Sequence, residues 1–148
     1  MRIVRRRAGF TLADMIITLA VLGIVLGMAA PRVGALRARG AVRSARDAAA
    51  SAFERARSLA VARGTARVTV DAAAGTIAIE SPVGIAADAA LHLTDVWGVA
   101  VDLGGSRTAV LDFNAIGLGV VASRTITLTR GAAQAGLTVS SYGRVRRW

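Results

Sequence analysis

The chain has 148 residues, room for one small domain, and a formal charge of +10 from 19 arginines, nine acids and no lysine. Aromatic residues make up only 4%, so any core is built mainly from Val, Leu, Ile and Ala. The absence of cysteine excludes disulfides, thiol catalysis and cysteine-based metal sites, and leaves packing alone to hold the domain together.

The charge is unevenly spread. Arg2, Arg5, Arg6 and Arg7 precede Gly9, and the eight arginines between Arg32 and Gly64 face only Asp47 and Glu54. From Thr65 onward seven arginines face six acids, and the last five residues are the basic exception. A basic helix face is first of all a solvated one, and beside a membrane it is drawn to anionic headgroups.

From Phe10 to Ala30 the only charged residue is Asp14. Those residues, as a helix, reach about 31 Å, the hydrocarbon thickness of a bilayer. The leading arginines favour a cytoplasmic N-terminus, a bias blunted by Arg32, Arg37 and Arg39 just past the span. A secretory signal peptide cut near Met28-Ala29-Ala30 is the competing reading. The apolar run is long for that, and Pro31 fits poorly beside such a cleavage site. Gly23 and Gly27 have the spacing that lets helices approach closely, a pattern that an alanine- and glycine-rich chain also produces by chance.

The junction Gly9-Phe10-Thr11-Leu12-Ala13-Asp14, set between the arginine cluster and the apolar run, resembles the N-terminus of type IV pilins and type II secretion pseudopilins. The likeness is specific over residues 5–31. It implies a prepilin leader at 1–9, cut between Gly9 and Phe10 by a prepilin peptidase, with Phe10 then N-methylated. It also implies a transmembrane helix at 10–30 and a helix-bending proline at Pro31. In that family the fifth mature residue is usually Glu and meets the N-terminal amine of a neighbouring subunit. Here it is Asp14, which keeps the charge but reaches one methylene less. The resemblance thus gives Phe10, Asp14 and Pro31 roles in assembly. It implies a single-pass inner-membrane protein with a cytoplasmic N-terminus and a periplasmic domain, whose partners are other pilin or pseudopilin subunits.

Between Arg32 and Arg63 there is no proline, and alanine, the best helix former, dominates. Val42, Ala45, Ala49, Ala52, Phe53, Ala56, Leu59 and Ala60 recur at three- and four-residue steps as an apolar stripe. Arg39, Arg43 and Arg46 lie on another face, with Arg43–Asp47 and Glu54–Arg57 at pairing distance. Gly64 is a natural stop. The pattern predicts one helix from about Thr11 to Arg63, roughly 80 Å long, with 31–64 as the periplasmic continuation of the span.

The period then changes to two, and residues 65–148 read as a globular β domain. Ala66–Asp71 and Gly75–Glu80 alternate around an Ala/Gly turn, a hairpin signature. Further strands are expected at Val99–Leu103, Ala109–Phe113, Arg124–Thr129, Leu137–Ser141 and Arg144–Trp148, the third and fourth joined by an Ala/Gly/Gln loop. Ser81 to Trp97 reads as loop-rich. The expected class is α+β: a long N-terminal helix, its first half transmembrane, packed against antiparallel β-sheet in the pilin manner.

Phe113-Asn114-Ala115-Ile116-Gly117, followed by a hairpin and the terminal Gly143-Arg144-Val145-Arg146, is similar to the GspH/FimT group of minor pilins and pseudopilins. No catalytic set is expected: His92 is the only histidine, and nothing supplies a nucleophile–base pair or a His/Cys metal set. Asp88, Asp95 and Asp102 recur every seven residues, but in a loop-and-strand region this spacing does not put them on one helical face, and a Ca²⁺ site needs about six to eight oxygens and a converging loop. Neither a metal nor a cofactor is expected. The tail Tyr142–Trp148 packs three arginines and two aromatics into seven residues, a composition that can contact phosphates and stack on bases. In a strand, Arg144 and Arg146 would share one side, with Val145 toward the core.

Two readings follow. The first is a GspH-type minor pseudopilin, a structural subunit of the periplasmic pseudopilus that serves protein secretion in a type II system. The alternative is a FimT-like type IV pilus minor pilin that binds DNA during natural transformation through Arg144, Arg146 and Arg147. A membrane-tethered domain of another filament system is a third possibility. The bland counterpart for the tail is a closing edge strand kept soluble by its arginines.

Overall fold

The computed structural model describes residues 10–81, 86–120 and 123–148, without the side chains of 29–31 and 86–89. The leader through Gly9 lies outside the described residues, as does the Pro31 side chain on which a bend was expected. The chain divides into two compact units, residues 1–34 and 35–148.

Helix α1 is assigned over Leu12–Arg63, as its composition predicts. Within the first unit, every described side chain from Phe10 to Met28 is exposed. This part of the helix is long and apolar enough to cross a membrane. A helix apolar on all sides has no solvated face and needs lipid or other helices around it.

The second unit owes its shape to one core shared by the rest of α1 and two sheets. On the helix, Val42, Ala45, Ala49, Ala52, Phe53, Ala56 and Ala60 are all buried, and Leu59 is partly so. Five of those eight are alanines, which cost no side-chain entropy in a helix and let sheet residues come close to its backbone. Phe53 supplies the bulk.

Eight strands follow: β1 (Thr65–Asp71), β2 (Thr76–Glu80), β3 (Ala86–His92), β4 (Ala100–Asp102), β5 (Thr108–Asn114), β6 (Arg124–Arg130), β7 (Ala133–Val139) and β8 (Val145–Arg147). They form two four-stranded sheets in the orders β3-β2-β1-β5 and β4-β6-β7-β8, and every pairing is antiparallel. Alternation sends Val68, Val70, Ile77, Leu111 and Phe113 of the first sheet, and Ile126, Leu128, Leu137 and Val139 of the second, into the core.

The first hairpin turns at residues 72–75, where the Asp71 carboxylate accepts the backbone N–H of Ala73 (2.8 Å) and Ala74 (2.9 Å). This is the local bonding that makes aspartate a turn former.

Three segments differ from expectation. The stretch after Ser81 contains strand β3, paired with β2 from Glu80↔Ala86 to Thr76↔His92 across a register shift, and a short helix α2 (Leu93–Trp97). Its alanine-rich sequence hides the two-residue period, since Ala on either face looks the same. The second hairpin turns on Gly131-Ala132 alone, so Ala133, Gln134 and Ala135 belong to β7 rather than to a loop. Gly131, at φ +57°, supplies the left-handed residue that a two-residue turn requires. The last strand is also shorter than expected: Arg144 precedes it and Trp148 follows it.

The expected helical ion pairs are replaced by others. Asp47 bonds Arg46 at 3.0 Å instead of Arg43, and Glu54 is taken by Arg147 from β8 at 3.1 Å. A tertiary cation has displaced the local partner.

Candidate functional site: the helix start and the C-terminal junction

Two places carry the residues singled out from the sequence, and each unit holds one. In the first, α1 opens on Thr11 and Asp14. The Thr11 hydroxyl accepts the Asp14 backbone N–H at 3.3 Å. The Asp14 Oδ2 in turn accepts the Thr11 backbone N–H at 3.1 Å and its hydroxyl at 2.8 Å. This is a capping box, with the acid at the third helical position satisfying a backbone donor that the helix leaves open. All three bonds stay within one chain, and the two that reach the carboxylate use the same oxygen, Oδ2. Among the described residues Oδ1 has no partner, which leaves it for a donor from outside. Phe10, just ahead of the cap, is 84% exposed. The T-x-x-D signature was legible in the sequence but was overshadowed by the acid's place in an apolar run.

In the second unit the two C-terminal motifs meet. After β5, Asn114 folds the chain back: its side-chain oxygen accepts the N–H of Ile116 (3.2 Å) and Leu118 (2.9 Å), and its carbonyl accepts that of Gly117 (2.8 Å). Before β8, Gly143 closes a similar turn on the Ser140 carbonyl (2.9 Å). Both glycines have positive φ, +73° at Gly117 and +71° at Gly143. A Cβ on Gly143 would overlap the Gly117 carbonyl oxygen, and one on Gly117 would fall 2.9 Å from Nε of Arg57. The turn leaving one sheet and the turn entering the other are thus stacked against α1, with Arg57 and Val61 beneath. Arg57, which the sequence offered only as a helical ion-pair partner, is the residue they rest on.

The arginines of the tail divide by environment. Arg147 is bound, through Nη2 to Glu54 (3.1 Å) and Nη1 to Asp47 (3.9 Å), and ties β8 to the helix. Arg144 and Arg146 are exposed, with no side-chain partner among the described residues. Val145 between them packs against the core. Arg144, Glu54, Arg57, Ser58 and Val61 line an open groove of about 570 Å³ beside the junction, and Tyr142 stands 76% exposed nearby.

Trp148 pairs with Gly136 in both directions, accepting its N–H at 3.1 Å and donating to its carbonyl at 3.0 Å. A Cβ on Gly136 would run into the Trp148 ring, so the glycine is the seat of the indole. His92 is exposed, with Nδ1 3.3 Å from Asp95, and Asp102 caps its own turn by accepting the Gly104 N–H at 3.0 Å. Among the described residues no three His, Cys, Asp or Glu side chains gather as a metal set; the Asp88 side chain lies outside them.

Comparisons agree with both halves of this picture. Residues 4–30 match the model of the prokaryotic N-terminal methylation motif. The chain is similar to the type IV minor pilin FimU of Pseudomonas aeruginosa strain PAO1 in two crystal forms. In one the TM-score is 0.58 at 20% identity, over 74% of this chain and 90% of that one. In the other it is 0.54 at 20% identity, over 72% and 91%. No curated relative matches the chain. At that identity the likeness establishes the fold, a long N-terminal helix followed by antiparallel sheets in the pilin arrangement.

Proposed function

We propose that this type IV pilin-like protein is a minor subunit of a membrane-assembled filament, and that its filament is the pseudopilus of a type II secretion system. Its partners are then a prepilin peptidase, the inner membrane and other pseudopilins. The observation that carries the filament-subunit part of this reading is the match to the methylation motif over residues 4–30, running directly into a helix whose apolar side chains are uncovered. The choice of a secretion pseudopilus rests on the likeness of the Phe113–Gly117 and Gly143–Arg146 motifs to the GspH group. The core of the second unit is complete without them, since its buried members run from Val42 to Val139. Among the described residues, the first half of α1 contributes no member of that core. That half serves an environment outside the chain, lipid before assembly and neighbouring helices after it.

The chemistry of the start follows from this reading. Cleavage between Gly9 and Phe10 frees an amine four residues before Asp14. Asp14 holds its own helix cap through Oδ2 and keeps Oδ1 for the methylated amine of an adjacent subunit. In hydrocarbon an unpaired carboxylate is costly, so this pairing favours assembled over free subunits. Asp14→Asn keeps the cap acceptor and loses the charge. Failure of that variant to enter filaments, with wild-type levels in the membrane, supports the role; normal incorporation refutes it.

A second reading, a pilus subunit that captures DNA, is favoured by the likeness to a type IV minor pilin and by the exposed guanidinium groups of Arg144 and Arg146, which have no partner among the described residues, with Tyr142 exposed near Arg144. Against it, Arg147 is already engaged by two carboxylates, and the rest of the tail serves to close a sheet. A salt-dependent binding assay comparing wild type with Arg144→Ala/Arg146→Ala separates the two. Absence of binding at low salt removes the DNA reading.

A further inference from the structure

A second basic site lies at Trp148, past the end of β8, whereas the junction groove lies at Gly143–Val145, where that strand begins. Arg39, Arg43 and Arg46 follow one another at helical steps of four and three and so share a face of α1. With Gln134 and Trp148 they line a concavity of about 350 Å³ between the helix and the start of β7. No Asp or Glu side chain lines it, and the main-chain oxygen of Trp148 at its wall is already taken by Arg46 (3.4 Å) and the Gly136 N–H (3.1 Å). The nearest acid on the helix, Asp47, is occupied by Arg46 (3.0 Å) and approached by Arg147 (3.9 Å). Among the described residues Arg39 and Arg43 have no hydrogen-bond or ion-pair partner. Arg46 is held by Asp47 and also donates to the Trp148 carbonyl at 3.4 Å. Trp148 in turn is seated on Gly136. The site therefore has a fixed wall and two uncommitted guanidinium groups.

We infer that this concavity binds a single phosphate ester group, with Arg39 and Arg43 as the charged donors. Guanidinium forks match phosphate oxygens two at a time, and charge-assisted bonds of this kind are the strong ones. Gln134 adds an amide donor, and the indole of Trp148 gives an apolar face with a polar edge, suited to the glycerol or sugar that carries the phosphate. The site has one ring and no track of successive platforms, so it fits one ester rather than a nucleic-acid strand. Two sources offer this chemistry: the headgroup of an anionic phospholipid, and a soluble phosphate ester.

The test uses the full chain with Trp97→Phe, which leaves Trp148 as the only tryptophan, in uncharged detergent micelles. Emission of Trp148 is followed during titration with phosphatidylglycerol, phosphatidylcholine and soluble glycerol phosphate. The site predicts a saturable change with phosphatidylglycerol and none with phosphatidylcholine. It also predicts at least a tenfold weakening in Arg39→Gln/Arg43→Gln, and partial recovery in Arg39→Lys/Arg43→Lys. Phosphatidylglycerol binding much tighter than glycerol phosphate assigns the lipid headgroup; equal affinities assign the soluble ester. Equal response to both lipids overturns the inference. So does an unchanged response in the Gln variant with unaltered circular dichroism, or preferential saturation by a DNA duplex. None of these outcomes bears on the filament reading, which rests on the other unit.

Discussion

Gly143 lies so close to the Gly117 carbonyl oxygen that no side chain can stand between them. These residues are far apart in sequence and belong to turns serving different sheets, yet each adopts a left-handed conformation, at φ +71° and +73°. Their contact stacks both turns on Arg57 of the helix. The spacing of Phe113 to Gly117 and the G-R-V-R tail are therefore two sides of one joint.

Gly143→Ala should be costly because the new methyl meets backbone, which cannot swing away. Loss of more than about 2 kcal/mol is expected, combining strain at positive φ with displacement of the turn. Gly131→Ala, also at positive φ (+57°) but with nothing within 4 Å of the new Cβ, should lose only about 1 kcal/mol. Denaturant unfolding of the two variants in the same detergent checks the difference; equal losses would mean the joint is not close-packed.

Phe53 is the largest fully buried side chain on the helix, standing among alanines that cannot expand into its space. Phe53→Ala should cost about 3–5 kcal/mol. Thermal unfolding should show a much lower midpoint, while Val61→Ala, at a position 57% exposed, should be nearly neutral.

Arg147 and Arg146 make a paired contrast within one short strand. Arg147→Ala breaks contacts with Glu54 and Asp47 that are partly exposed, so the loss should be no more than about 1 kcal/mol, shrinking as salt is raised. Arg146→Ala should leave stability unchanged. A salt-independent loss at Arg147 would point to packing of its stem rather than to charge.

Thr11→Val removes the hydroxyl that joins the capping box, at a cost of about 1 kcal/mol to the first turn of α1. Hydrogen exchange in micelles should quicken at Leu12 to Met15 and stay unchanged beyond the second turn. Uniform exchange along the helix would show that the cap is unimportant in an apolar medium.

The helix, its buried stripe and the strands rich in Val and Ile were legible in the sequence because their periods differ and their apolar residues are large. Strand β3 and the first half of β7 were not, since Ala, Gly and Gln mark neither face of a sheet. The methylation motif matched over residues 4–30 could be read from local order alone. The joint at Gly117 and Gly143 could be seen only as two separate patterns, because their contact depends on how two sheets dock on one helix. The same holds for Arg147: its partners Asp47 and Glu54 had nearer arginines in sequence, and tertiary position decided between them.

The central claim, that the chain is processed as a prepilin, is tested most directly by the mass of its N-terminal peptide after expression with a prepilin peptidase. The expected product is a mature chain that begins at N-methylated Phe10, with the first nine residues gone. A mature chain beginning near Pro31 would contradict it, because the apolar segment would then have been a discarded signal and not the part that anchors and assembles the protein.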